Sequence, residues 1–145
     1  MRCKIENGVL LVVECCEEEV VVPEGVTRIA DEALYAAKAK RILLPDGVRE
    51  VGDKAFGCAA VEELTLPRSV ESVGNRAFDC AEIRVLRIEN PDVFFYPEII
   101  DHCYDLEDVY FAGTKEQWNK AFDAEFQPYS AAFRLHLADG EVIQY

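Results

Sequence analysis

The sequence has little positive charge and no long hydrophobic run. Its 145 residues include 15 lysines and arginines against 28 aspartates and glutamates, giving a formal net charge of −13. Such a charge repels nucleic-acid phosphates and anionic lipid headgroups. The longest apolar run, Val9 to Val13, has five residues, far fewer than the ~18 that a membrane span needs. We therefore expect neither nucleic-acid binding nor membrane insertion.

The chain also lacks the motifs that mark secretion and catalysis. The first residues contain no apolar segment of the kind that directs secretion. Cysteines without such a signal are typical of reduced thiols in a cytoplasm, so we expect a cytoplasmic protein. A chain from which a signal peptide had been removed would instead be secreted or surface-exposed. No Ser-His-Asp, Cys-His or phosphate-loop arrangement occurs, and the sequence predicts no catalytic residue, no cofactor and no metal ligand.

The sequence does contain a repeated unit. The segment at 52–56, Gly-Asp-Lys-Ala-Phe, returns at 74–78 as Gly-Asn-Arg-Ala-Phe, a step of 22 residues. A short apolar pair recurs with the same period and is followed by proline in the first three copies. The pairs are Val20/Val22, Ile42/Leu44, Leu64/Leu66, Leu86/Ile88 and Val109/Phe111, at steps of 22, 22, 22 and 23. A period of 20 to 50 residues is typical of repeat architectures.

Each unit predicts one coil of a solenoid. The alternation in Leu64-Thr65-Leu66 predicts a short strand with two side chains inward and one outward, and Pro67 ends it. The Gly-x-x-Ala-Phe segment predicts a tight turn and about one helical turn, in which the phenylalanine fills the core. Stacked coils share a continuous core that a single coil cannot form. We predict one parallel sheet with strands at 20–22, 42–44, 64–66, 86–88 and 109–111. We also predict a buried stack of Phe56, Phe78 and Ile100.

The pattern resembles the BspA-like leucine-rich repeats of bacterial and protozoan proteins. In this chain it reads Val61-Glu62-Glu63-Leu64-Thr65-Leu66-Pro67, then Val70, Val73, Gly74, Ala77-Phe78 and Cys80. The resemblance covers about residues 17–111 and implies an α/β leucine-rich-repeat solenoid, in a family often associated with bacterial surface attachment. In two copies, those ending at Cys58 and Cys80, the spacing from phenylalanine to cysteine is one residue shorter than the family's.

We predict a single domain over residues 1–145, with the repeats at 17–111 capped at both ends. An Asn7-Gly8 turn predicts an N-terminal cap hairpin within 1–16. In the C-terminal cap at 112–145, Thr114 to Gln117 has the form of a capping box and predicts a helix to about Phe122. A final hairpin around Asp139-Gly140 completes this cap.

The outward side of the predicted sheet is the main candidate binding surface. Repeat proteins bind partners along such extended concave surfaces, and arginine and tyrosine are enriched at interfaces. The outward residues are Val21, Leu43, Thr65, Arg87 and Tyr110, and the column two residues earlier is Glu19, Arg41, Glu63, Val85 and Asp108. We predict that the binding residues are Leu43, Thr65, Arg87, Tyr110, Arg41 and Glu63. The acidic residues Glu19, Glu63 and Asp108 favour a basic partner. The alternative is that this face only closes the solenoid.

Three other groups of residues are candidate sites. Cys58, Cys80 and Cys103 are predicted to be buried, reduced and metal-free, because free cysteine usually behaves as a small apolar residue. His102 lies among acidic residues at 101–108 that could bind metal or transfer protons, but we favour the interpretation that the segment is a solvated turn. In the aromatic segment 90–97, Phe95 is expected in the core, with Phe94 and Tyr96 pointing outward. The segment is either a rigid protrusion for binding or a patch on an irregular coil, and we favour the patch.

The sequence therefore predicts a non-enzymatic module that binds an unidentified protein on its strand face. One alternative is a structural unit that self-associates through a strand edge or the aromatic segment. A third interpretation is a metal-binding or hydrolytic protein that uses the acidic cluster near 101–108. His136 is interpreted as a surface or lid residue.

Overall fold

The computed structural model describes residues 2–15, 17–96, 98–122 and 131–145. Within these ranges the chain forms a solenoid of short strands arranged in two sheets, with turns between them and one short helix near the C-terminus. The predicted caps include residues 1, 16 and 123–130, and the aromatic segment ends at residue 97; these positions lie outside the described residues. In the described part of the chain, no helix has the length and apolar character needed to cross a bilayer.

The long sheet confirms the parallel strands that the repeat predicts. It contains five strands from the repeats, which pair in parallel, and two C-terminal strands, β12 (Arg134–His136) and β13 (Val142–Gln144). Each of the five repeat strands begins one residue before its predicted start. They are β3 (Glu19–Val21), β5 (Arg41–Leu43), β7 (Glu63–Leu66), β9 (Val85–Ile88) and β11 (Asp108–Phe111). The order along the sheet is β13-β12-β11-β9-β7-β5-β3.

A second, six-stranded sheet was not predicted. Its order is β1-β2-β4-β6-β8-β10, and its last four strands have only two residues each. Two residues are too few for an alternating pattern to be visible in the sequence, which shows only one recurring apolar position. The strands are β1 (Arg2–Glu6), β2 (Val9–Glu14), β4 (Arg28–Ile29), β6 (Glu50–Val51), β8 (Ser72–Val73) and β10 (Phe94–Phe95).

Both predicted hairpins are present, and each extends a sheet. Strands β1 and β2 pair antiparallel around Asn7 and Gly8, whose φ angles of 49° and 76° fit the type I′ turn that an Asn-Gly pair favours. At the other end, β12 (Arg134–His136) and β13 (Val142–Gln144) pair antiparallel. Strand β12 also pairs in parallel with β11, so the C-terminal hairpin adds two strands to the long sheet.

The predicted C-terminal helix is confirmed. Helix α1 (Lys115–Ala121) begins at the capping box formed by Thr114 and Gln117, and Phe122 is its C-cap. Its Trp118 is buried and packs with ring centroids 5.2 Å from Phe111 and 6.1 Å from Phe95. Through Trp118 the helix therefore covers the last coil, where it packs against one aromatic side chain from each sheet.

The core contains the aromatic stack that the repeat predicts. The rings of Phe56 and Phe78 are fully buried, with centroids 5.5 Å apart. Leu34 and Ile100 are buried in the neighbouring coils at the same position of the repeat. Backbone bonds hold this column together, since the Phe56 N–H donates to Ala77 and the Phe78 N–H donates to Ile99.

The prediction that three cysteines stack in the core is wrong for two of them. Cys58 and Cys80 are exposed, and only Cys103 is buried. The backbone of the turns explains this. Cys58 and Cys80 have φ angles of 53° and 56°, in the left-handed region, and their backbone N–H groups donate hydrogen bonds to carbonyl groups of the next coil. The buried position follows one residue later and is occupied by Ala59, Ala81 and Cys103.

The glycine of the repeated motif allows close stacking of the coils. A Cβ atom at Gly74 would lie 2.6 Å from the carbonyl carbon of Gly52 and 2.7 Å from the backbone nitrogen of Asp53. A Cβ atom at Gly52 would lie similarly close to the backbone of Ala30 and Asp31. Neither gap admits a side chain without a backbone shift, which accounts for glycine at this position of the repeat.

Candidate functional site

The outward side chains of the long sheet form one continuous surface, named here the strand face. The strand register aligns Val21 with Leu43, Thr65 with Arg87 and Arg87 with Tyr110, as the repeat predicts. His136 continues this row on β12, because it pairs with Tyr110. The second row is Glu19, Arg41, Glu63, Val85, Asp108 and Arg134.

The N-terminal half of the strand face is apolar in its outward row. Val21 is 53% exposed and Leu43 is 43% exposed, while Thr65 is half-buried. In the second row Arg41 forms an ion pair with Glu19 at 2.8 Å, and its register partner on the other side is the exposed Glu63. The exposed apolar pair is therefore flanked by charges of both signs.

The C-terminal half contains a stack of three planar groups. The guanidinium carbon of Arg87 lies 4.3 Å from the centre of the Tyr110 ring. On its other side, the Tyr110 ring lies 4.3 Å from the imidazole of His136, with the planes only 10° apart. Cation–π and stacking contacts of this kind hold side chains in one orientation. Tyr110 is thus presented to solvent between two fixed neighbours.

Asp108 lies in the second row beside this stack and does not contribute an exposed negative charge, contrary to the sequence expectation. Its side chain is 12% exposed. Arg134 donates to both carboxylate oxygens at 2.9 Å, and His136 Nε2 lies 2.7 Å from Oδ1. The hydrogen bond with His136 and the adjacent Arg134 lower the pKa of Asp108, against the effect of burial. The carboxylate therefore serves to position Arg134 and His136.

Sequence reasoning missed Arg134 and His136 as members of this surface. The predicted strand face ends at Tyr110, because the repeat pattern ends there and the C-terminal hairpin is predicted as a separate cap. The available signal was the segment Arg134-Leu135-His136-Leu137, which has the same outward–inward alternation as Asp108-Val109-Tyr110-Phe111. In both segments the second and fourth side chains are buried.

A shallow depression adjoins the stack where the strands end. It has a volume of about 260 Å³, and its walls include Arg87, Tyr110 and His136 together with Glu89 and Ala112. This volume suits one large side chain of a binding partner. Desolvated pockets lined by aromatic and arginine side chains are where protein interfaces concentrate their binding energy.

Two other surfaces are weaker candidates for a protein-binding site. A groove of about 530 Å³ is lined mainly by charged residues, and its Lys40 is paired with Glu18 at 2.9 Å. In the aromatic segment, Phe94 and Tyr96 are 40% and 49% exposed and pack edge to face with centroids 5.0 Å apart. Phe95 is buried, which confirms its predicted place in the core.

The acidic segment at 101–108 does not form one cluster. Asp108 belongs to the strand face, and Glu107 pairs with Arg84 at 3.2 Å. His102 instead contacts Asp79 of the previous coil, with Nδ1 and Oδ1 2.9 Å apart. The structure therefore does not gather these residues into the metal or acid–base site that the third interpretation requires.

The stacked coils and the two ladders of short strands, most of them parallel, define a solenoid of the leucine-rich-repeat class. Comparison with known protein families matches residues 12–125 to six copies of the BspA type leucine-rich repeat region. The chain belongs to this family, as the resemblance implies, and the solenoid prediction is confirmed. No curated protein matches the chain significantly.

Proposed function

We propose that the protein is a non-enzymatic binding module that holds another protein on its strand face. Leucine-rich repeats are modules that commonly mediate protein interaction, and solenoids use their extended faces for this purpose. The observation that carries the proposal is the Arg87–Tyr110–His136 stack beside a depression of side-chain size. Arginine and tyrosine are the residue types on which interface energy is concentrated.

The stack favours binding because it is formed before a partner arrives. Ordering a rotamer-rich side chain at an interface costs about 0.5–1.5 kcal/mol. Arg87 and Tyr110 are already held by each other, and His136 is held by both Tyr110 and Asp108. A partner that contacts these side chains therefore loses less free energy in ordering them.

Two of the three acidic side chains that favour a basic partner are neutralised on the strand face, whereas Glu63 stays exposed. Glu19 is paired with Arg41, and Asp108 is enclosed by Arg134 and His136. In the C-terminal half, Arg134 is paired with the buried Asp108, which leaves Arg87 as the positive charge beside Tyr110. We expect the partner to place an aromatic or carboxylate-bearing side chain near Tyr110 and apolar side chains near Leu43.

Affinity capture with matched variants tests the proposal. Wild-type protein, an Arg87→Glu/Tyr110→Ala variant and a Phe94→Ala/Tyr96→Ala variant are immobilised and exposed to extract of the source cells. Bound proteins are cross-linked to the bait. Mass spectrometry then quantifies them and maps the cross-linked positions. The proposal expects a protein that the first variant loses, the second variant keeps, and whose cross-links map to strands β5 to β12. Capture that is unchanged by the first variant would contradict it.

Self-association is the second candidate, and it has its own observation. Strand β1 is an edge of the six-stranded sheet, all five of its residues are exposed, and Ile5 and Val12 are 36% and 42% exposed. Exposed edges can pair with other chains, which favours self-association. The charged residues Lys4 and Glu6 also lie on this edge, and charges of this kind oppose such pairing. Analytical ultracentrifugation distinguishes the candidates: a dimer that Ile5→Lys disrupts would favour self-association, and a monomer excludes it.

A further inference from the structure

Three side chains of different ligand types meet where the turns of two adjacent coils stack, one turn following Phe78 and the other following Ile100. They are Asp79, Cys80 and His102, and one ligand atom of each lies within 4.8 Å of those of the other two. Asp79 Oδ1 is 2.9 Å from His102 Nδ1 and 3.8 Å from Cys80 Sγ. Asp79 is partly buried, while Cys80 and His102 are exposed. A carboxylate, a thiol and an imidazole thus converge at one accessible point.

The repeat fixes the backbone positions of these ligands. Cys80 and His102 are 22 residues apart and have the same left-handed conformation, with φ angles of 56° and 58°. The Cys80 N–H donates to the Asp101 carbonyl at 3.2 Å, which ties the two turns together. Because the solenoid stacks successive coils in register, the three ligand-bearing backbones are held in place without a bound ion.

We propose that Asp79, Cys80 and His102 bind a Zn²⁺ ion at this turn edge, with water in the fourth coordination position. Zn²⁺ takes thiolate, imidazole and carboxylate ligands in a tetrahedral arrangement, and sites with three protein ligands keep one position for water. Mg²⁺ and Ca²⁺ require oxygen ligands and do not suit a cysteine and a histidine. The mixed donor set therefore selects a borderline-soft divalent ion.

Binding requires a small adjustment and one proton transfer. The interatomic separations of 2.9 and 3.8 Å leave room for bonds of about 2.0–2.3 Å from a central ion to each ligand. The Cys80 S–H bond breaks, its proton goes to solvent, and the sulfur forms a bond to zinc with no change in oxidation state. Arg76, the nearby cation, forms an ion pair with Glu98, which lessens its competition for Asp79.

Zinc titration of the purified protein tests the site. Calorimetry in a non-chelating reductant is run on wild type, Cys80→Ser, His102→Gln and Asp79→Asn, with Cys3→Ser and Asp46→Asn as controls. We expect one equivalent of Zn²⁺ on the wild type and on both controls. Because even residues behind the ligands change metal affinity by about 10–100-fold, each ligand variant is expected to weaken Kd at least about tenfold. Circular dichroism confirms that all variants are folded.

Alkylation supplies a second readout that does not depend on affinity fitting. Zinc is expected to slow the alkylation of Cys80 at least tenfold and to leave the exposed Cys3 unchanged, since a zinc-bound thiolate is protected. Equal zinc uptake by wild type and a Cys80→Ser/His102→Gln variant, or unchanged Cys80 labelling, would overturn the proposal. The site is separate from the strand face, so Arg87→Glu is expected to bind zinc normally whatever its effect on protein binding.

Discussion

The guanidinium carbon of Arg87 lies 4.3 Å from the ring centre of Tyr110, although 23 residues separate them in the chain. The contact follows from the register of the long sheet, in which Tyr110 on β11 pairs directly with Arg87 on β9. His136 on β12 extends the same row. A repeat that specifies only the core thereby also aligns outward residues from distant segments, and the strand face is the result.

Phe78 is expected to be a large contributor to stability. Its ring is fully buried against Phe56, and truncation leaves a cavity that neighbouring coils cannot fill. Phe78→Ala is therefore expected to lower the free energy of unfolding by about 3–5 kcal/mol, measured by urea denaturation. Tyr104→Ala, at a side chain that is 74% exposed, is the control and is expected to stay within about 0.5 kcal/mol. A loss below about 1 kcal/mol for Phe78→Ala would show that the residue is not packed in the core.

A side chain at Gly74 is expected to lower the stability of the folded protein. An added Cβ would lie 2.6 Å from the Gly52 carbonyl carbon, so Gly74→Ala must push two coils apart, at a cost of about 1–3 kcal/mol. Gly47→Ala is the matched control, because its Cβ would meet only the Val26 carbonyl oxygen at 3.5 Å. Thermal or urea unfolding compares the two variants, and equal stability for both would contradict the stacking geometry.

The cysteines are expected to differ sharply in reactivity. Burial raises the pKa of Cys103 to about 12, and its thiol donates to the Phe78 carbonyl at 2.9 Å. Since the thiolate is the reactive form, Cys103 is expected to be alkylated only after unfolding. Cys3, Cys58 and Cys80 are exposed and are expected to react in the folded protein. Peptide mapping after timed alkylation measures this, and labelling of Cys103 at the rate of Cys3 would refute it.

Asp108 is expected to make stability depend on acid pH. Its pKa in the folded state is lowered from the ordinary 3.8, first by the hydrogen bond with His136 and then by Arg134. A lowered carboxyl pKa contributes stability that is complete above 3.8 and is lost as pH falls through the lower folded value. In urea melts between pH 5 and pH 2, the free energy of unfolding of Asp108→Asn is expected to fall less with decreasing pH than that of the wild type. The exposed control Asp46→Asn is expected to show the same fall as the wild type. A wild-type acid profile in Asp108→Asn would contradict the arrangement.

The sequence predicts the long sheet, the hairpins and the core column well, because each depends on apolar residues at a fixed period. Phe56 and Phe78 recur at the step that stacks them, and Asn7-Gly8 forms the turn that such pairs favour. The second sheet was missed because strands as short as Ser72–Val73 leave no alternation to read. A pattern of apolar residues indicates which side chains are buried, but it does not indicate which backbone groups form hydrogen bonds, so the short strands could not be predicted from it.

The side chains at the two candidate sites were less predictable. Aligning Cys103 with Cys58 and Cys80 broke the 22-residue step, whereas keeping the step places His102 in their column. That column is exposed because its residues have left-handed backbone conformations, which an apolar pattern does not encode. Similarly, the burial of Asp108 depends on Arg134 and His136, which reach it only through the parallel pairing of β12 with β11.

The affinity of a captured partner for strand-face variants tests the central claim most directly. Calorimetry is used to compare wild type with Arg87→Glu and Tyr110→Ala, and with Phe94→Ala and Tyr96→Ala as exposed aromatic controls. We predict that each of the first two variants weakens Kd about thirtyfold or more, which corresponds to the 2 kcal/mol of an interface hot spot. The two controls are predicted to bind as the wild type does. Unchanged affinity for Arg87→Glu and Tyr110→Ala, with binding lost in Phe94→Ala or Tyr96→Ala, would contradict the claim and place the site on the aromatic segment.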